Sequence, residues 1–355
     1  MQQALLARAA CSGAIVLAAG LAAPRSCEGS ALRPLECDPA RVVGPAGCLK
    51  CHQREVEQWT ATPHSQTFES LQRAPEAKAI VERLGLRSVK RNDVCTECHY
   101  TQQEIDGHAR IVAGISCESC HGAAQGWVDR HGDYGGPQAT RETETPAHRD
   151  QRRADSIAAG MNNPSNLYLI ARQCLACHTS PREDLVNVGG HRAGSPDFEL
   201  VAWSQGMIRH NFLRGGQTVN VPSSQERLRV MYVVGVLADL EASLRATALA
   251  TQRAEFGVAA ARRAARQKKR LYEIARLVDN SLLREALATA VDAPLELRRR
   301  EELEAAADRL GELAYEVAAA ESGGAWAALD PLLPAEADFR WRSHRGEAAA
   351  PAASP

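Results

Sequence analysis

The sequence predicts a mainly α protein in two parts: a segment of short helices and few strands, then a C-terminal helical hairpin or small bundle. Three observations predict it. Residues 45–222 hold ten of the eleven histidines and eight of the eleven cysteines, among many glycines and turn pairs. Residues 223–322 hold neither cysteine nor histidine, and their apolar residues recur at helical spacing. The chain is 45% hydrophobic but only 5% aromatic, so its first part has little with which to build a side-chain core.

The elements follow in order. Residues 1–23 read as a signal peptide: Arg8, then an uncharged run from Ala9 to Ala23, then Pro24-Arg25. That run is shorter than the about 20 apolar residues a spanning helix needs. An exported, periplasmic protein in an oxidising compartment is therefore expected, with membrane attachment only if the leader stays uncleaved. Residues 24–44 read as a linker. Within 45–222, Gln53–Thr60 and Ala74–Leu84 are helical patches. Ser223-Ser224-Gln225-Glu226 fits a capping box with Ser223 as the cap. Leu237, Leu240, Leu244 and Ala248 form one helical stripe. Leu303, Ala306, Leu310, Leu313 and Val317 form another, after a break at Asp292-Ala293-Pro294. Residues 323–355, rich in Gly, Pro and Ala, read as a flexible tail. A net charge of -1 excludes a protein that grips nucleic acid by bulk electrostatics.

Eight cysteines fall into four copies of one pattern: Cys48-Leu-Lys-Cys51-His52, Cys95-Thr-Glu-Cys98-His99, Cys117-Glu-Ser-Cys120-His121 and Cys174-Leu-Ala-Cys177-His178. Each is C-x-x-C-H, the attachment signature of c-type haem. Two thiols three positions apart reach the two vinyl groups on one porphyrin edge. The next residue sets an imidazole under the iron. Chance gives such a match about 0.01 times in a chain of this composition, so four are no accident. Paired C-x-x-C units also build zinc sites, but zinc gives no reason for a histidine after every pair. Four covalent haems are expected, with His52, His99, His121 and His178 on the proximal side. Their macrocycles would replace missing core side chains, and the segment would not fold without them.

Distal ligands decide what the irons can do. A bis-histidine iron is closed and suits electron transfer; an open sixth position binds small molecules. Outside the motifs lie His64, His108, His131, His148, His191, His210 and His344.

Here the sequence resembles a known family, the tetrahaem cytochromes of the c-554 type. These are electron carriers of nitrifying bacteria, whose haem packing is shared with multihaem hydroxylamine oxidoreductase and nitrite reductase. The resemblance rests on the first motif with Trp59 and Thr62-Pro63-His64 after it, and on the second motif. It continues in Gly114-Ile-Ser-Cys117-Glu-Ser-Cys120-His121-Gly122, Asp129-Arg130-His131 and the motif at 174–178. It covers roughly 44–212. It implies that His131 is the distal partner of His52, His64 of His121, and His210 of His178, with the haem on His99 five-coordinate. The sequence departs from the family in offering His108 and His191 as well. Either would close the second haem, or His191 would replace His210 on the fourth.

Two functions stand side by side: an exported tetrahaem carrier between redox partner proteins, and an oxidoreductase acting on nitric oxide, hydroxylamine or nitrite at an open second haem. The enzyme question stays open, with the carrier favoured, because no motif departs from C-x-x-C-H. Cys11 belongs to the leader. Cys27 and Cys37 are candidates for a disulfide. Arg262, Arg263, Arg266, Lys268, Lys269 and Arg270 read either as a solvated helix face or as a docking surface for an acidic redox partner.

Overall fold

A computed structural model describes residues 37–206 and 222–340. The leader, Cys11, Cys27, His210 and His344 lie outside the described residues. The described chain is mainly helical, as the sequence predicts. Among the described residues there is one two-stranded antiparallel sheet, Thr101–Ile105 against His108–Ala113. Its turn is Asp106-Gly107, both at positive φ (53° and 73°), the geometry that makes Asp-Gly a tight hairpin turn.

The haem-motif segment is a run of short helices. Gln53–Thr60 and Pro75–Arg83 fall where the sequence places them. Between them lies Pro63–Ser70, capped by the Thr62 hydroxyl accepting from Ser65 N. Each C-x-x-C-H motif ends a helix or closes a turn after one. Asp93–His99, Cys117–His121 and Leu167–His178 all stop on their motif histidine. From 37 to 166 the buried apolar residues are only Val42, Val89, Tyr100, Ala113, Ala124 and Trp127. The two large clusters of buried side chains draw instead on residues after 166.

The C-terminal helices are Gln225–Leu249, Glu255–Leu277, Ser281–Asp292 and Arg300–Ala320. Gln225–Leu249 is central and buried almost all round from Leu228 to Thr247, packed between the second and fourth of these helices and against Leu167–His178. A helix buried on every side carries no single apolar stripe, and that is why Val233, Val234 and Val236 sit beside Leu237 and Leu240. The fourth helix does carry one: Leu303, Leu310, Leu313 and Val317 are fully buried. One core thus runs from Leu167, Leu175 and Val201 through Val230 and Leu244 to Leu329, crossing position 222 without a break.

Two expectations need correcting. The cap of the central helix is Ser224, whose hydroxyl accepts from Arg227 N, while Ser223 N donates to Gln205 Oε1 at 2.8 Å. Capping therefore starts one residue later than the Ser223–Glu226 box. The segment after 322 is packed as far as Phe339: Gly324–Leu332 is a 3-10 helix, and Trp326, Leu329 and Phe339 are buried. Two large aromatic rings and a leucine bury enough apolar surface to hold a stretch that composition alone marks as loose.

Candidate haem centres

Three of the four motif histidines each face a histidine from outside the motifs at a similar distance. The rings of His52 and His131 have centroids 6.0 Å apart and are nearly parallel, at 23°. His64 and His178 lie 6.3 Å apart, and His99 and His191 also 6.3 Å. A metal–imidazole bond is about 2 Å, and a ring nitrogen sits about 1.1 Å from its ring centre. Two imidazoles on opposite faces of one metal therefore have centres about 6.2 Å apart. Direct ring stacking would bring them closer, and unrelated surface histidines have no reason to repeat one spacing.

Local contacts aim these rings. His131 Nδ1 donates to Val128 O at 2.5 Å, His121 Nδ1 to Asn162 O at 3.2 Å, and His191 Nδ1 to Arg192 O at 2.8 Å. A carbonyl only accepts, so each ring carries its proton on Nδ1 and leaves Nε2 bare for a metal. His178 Nδ1 is held by Ser195 Oγ at 2.9 Å. Burial makes His64 less basic, and lowers His99 to about 4 and His178 to about 3, with neighbouring histidines adding to the effect. They are therefore neutral near pH 7, the form that binds a metal.

The helix carrying His64 is tied to two motifs. Ile115 N donates to His64 O at 3.0 Å, and the Thr67 hydroxyl donates to His99 O at 2.9 Å. Trp59 Nε1 donates to Ile115 O at 2.7 Å. A side chain at Gly114 would strike His64 O at 2.5 Å, so only glycine allows this approach.

The cysteines group as well. Cys48 and Cys117 lie close enough to shift one another's basicity, as do Cys98 and Cys177. The attachment edges of the first and third motifs are therefore close, and so are those of the second and fourth. Glu118, inside the third motif, is buried and accepts from Val43 N, Gly44 N and Ala124 N at 2.7–2.9 Å. Cys37 Sγ donates to Glu118 O at 3.0 Å, and burial pushes its thiol up to about 12. Its pairing with Cys27 falls outside the described residues.

These residues fit haem. Among the described residues, no group of three or more His, Cys, Asp or Glu is assembled to hold a bare metal ion, as a zinc site would require. An open groove of about 670 Å³ lies beside the His64 helix, lined by Trp59, Phe68, Val112 and Ala113 together with Gln66, Glu69 and Arg73, and by none of the motif residues. Cys48, Cys51, Cys95, Cys98, Cys117, Cys120, Cys174 and Cys177 would hold the porphyrins, and the paired histidines their irons.

The ring facing His64 is His178, where the resemblance implies His121. The ring facing His99 is His191, where the family has none. His52 faces His131 as the resemblance implies. His108 is exposed at the start of its strand, and His148 is engaged by Glu144 at 2.8 Å.

Sequence reasoning missed two buried charges. Arg263, one of the six clustered cations, points inward. It pairs with Asp239 at 2.6 Å and donates to His178 O at 3.0 Å and Ser195 O at 2.9 Å. Gln267 also donates to Asp239, at 2.8 Å. The available signal was Asp239 itself, a carboxylate ending an apolar run inside a helix: such a charge needs a partner. Of the six cations, only Arg262, Arg266 and Lys269 are exposed.

Four C-x-x-C-H motifs and the facing imidazoles are the features of c-type cytochromes, a class that binds haem covalently and transfers electrons. Residues 47–122 match the family model described as cytochrome c554 and c-prime. A curated relative, cytochrome c-554 of Nitrosomonas europaea, is 26% identical over 175 residues, covering 46% of this chain and 68% of the relative. No solved structure matches the chain. Through its haem-motif segment the chain is similar to the cytochrome c-554 family.

Proposed function

We propose that this protein is an exported tetrahaem cytochrome that passes electrons between redox partner proteins through closely spaced haems. The observation that carries the reading is the set of three histidine pairs at one iron-centred spacing, 6.0–6.3 Å. Each pair joins a motif histidine to a histidine outside the motifs. Paired imidazoles close an iron to substrates and suit it to electron transfer.

The contacts between motifs support passage from haem to haem. Cys48 lies near Cys117 and Cys98 near Cys177, while His64 lies close enough to His99 and His178, and His99 to His178, to lower their basicity. Export is supported by the leader read at residues 1–23, with the periplasm as the compartment. Arg262, Arg266 and Lys269 offer a modest positive patch to an acidic partner.

The test is a haem-stained gel and an intact mass of protein matured with the c-type haem attachment apparatus. Four added haems are expected. A mass with no haem would overturn the reading.

A further inference from the structure

The helix Glu183–Asn187 ends in a wound turn that delivers His191. Gly189 N donates to Asp184 O, Gly190 N to Val186 O, and His191 N to Leu185 O, all at 3.0–3.1 Å. Gly190 has φ +72°, and a side chain at Gly189 would strike Leu185 O at 2.5 Å. Only two glycines let the chain reverse here.

The turn is anchored from outside. Arg83 Nε donates to Gly189 O at 2.7 Å. The C-terminal helices hold its base: Phe256 N donates to Asn187 Oδ1 at 3.0 Å, and the Thr251 hydroxyl donates to Glu183 at 2.7 Å. The imidazole is then fixed by its own Nδ1 bond to Arg192 O, leaving Nε2 for the ring opposite. That ring is His99, at 6.3 Å, tilted by 55°. The rival position for His191, opposite His178, is taken by His64. The rival candidate for His99, His108, stands exposed on the hairpin.

We infer that His191 and His99 are the two axial ligands of one haem iron, so that the second haem is closed, where the resemblance to the family implies an open one. The inference rests on the haem reading above. It removes the site at which a small nitrogen compound would bind. It also gives the C-terminal helices a role, since they brace the turn carrying this ligand.

The experiment uses the full chain matured with the attachment apparatus, its haem content first counted by intact mass. Carbon monoxide is then added to the reduced protein. The expected result is no carbon monoxide bound at the second haem of the wild type, and one more carbon monoxide bound per protein in His191→Ala than in the wild type. In the ferric state that variant gains one high-spin haem, and added imidazole returns it to low spin. Combining His64→Ala with His191→Ala opens two irons. A fully loaded wild type that binds carbon monoxide at its second haem overturns the inference, and needs no variant. So does a His191→Ala protein with unchanged spin states. A chain without covalent haem overturns the attachment reading and this inference together, and the mass distinguishes that outcome from a failure of ligation alone.

Discussion

Residues 37–166 carry three of the four attachment motifs and bury six apolar side chains, two of them alanines. Residues 222–340 carry no motif, yet the single helix Gln225–Leu249 is buried along nearly its whole length. The first region is built of helices of five to thirteen residues joined by turns. The second has helices of up to 25 residues around a leucine- and alanine-rich core. Short helices without a core do not hold themselves together in water. On the haem reading proposed above, the first region would leave its apolar interior to cofactors, while the second supplies its own. The second region also reaches across, through Arg263 to the backbone of His178 and through Phe256 and Thr251 to the turn before His191.

The contrast breaks first if haem attachment is prevented. With all eight motif cysteines changed to Ser, residues 37–166 should become open to protease while the helices of 222–340 stay protected. Equal loss in both regions would show that the C-terminal core is not self-sufficient. The next largest effect is at the bridge. Asp239→Ala leaves the Arg263 guanidinium buried and unpaired, a loss of about 3 kcal/mol in chemical denaturation, and it should perturb the fourth haem's spectrum. Within the core, Leu240→Ala should cost about 2–5 kcal/mol by opening a cavity, with spin states unmoved.

The smallest effect is at the surface. Arg229 makes two bonds to Asp330, at 2.7 and 2.8 Å, and together with Gln225 holds that carboxyl down to about 2. Its folded value is depressed, so its stabilisation is full above the ordinary 3.8 and fades as pH falls towards 2. Asp330→Asn should therefore be slightly less stable near neutrality, and its stability should fall less steeply across that acid range. An unchanged acid profile would show that the pair contributes nothing.

How much of this was legible depends on how far apart the interacting residues lie. The motifs, the helix Gln53–Thr60 and the stripe from Leu303 to Val317 were legible because each is written in consecutive turns. The His52–His131 pair was reachable through the family resemblance. The partner of His64 was not: His178 lies more than a hundred residues away, and no local period encodes which ring will face which. Arg263 looked like its solvated neighbours, because a sequence gives a cation's position and not its partner. Trp326 and Leu329 sit among glycines and alanines, so composition hid a packed segment. The shift of the cap from Ser223 to Ser224 is a one-residue choice between equal hydroxyls, decided by Gln205 taking the Ser223 N–H.

The central claim is that histidine pairs 6.0–6.3 Å apart are axial ligands of haem irons. Low-temperature electron paramagnetic resonance of the ferric protein, quantified against its haem content, tests it most directly. The account predicts low-spin haem for the irons of His52–His131, His64–His178 and His99–His191. Two or more high-spin haems in a fully loaded protein would contradict it.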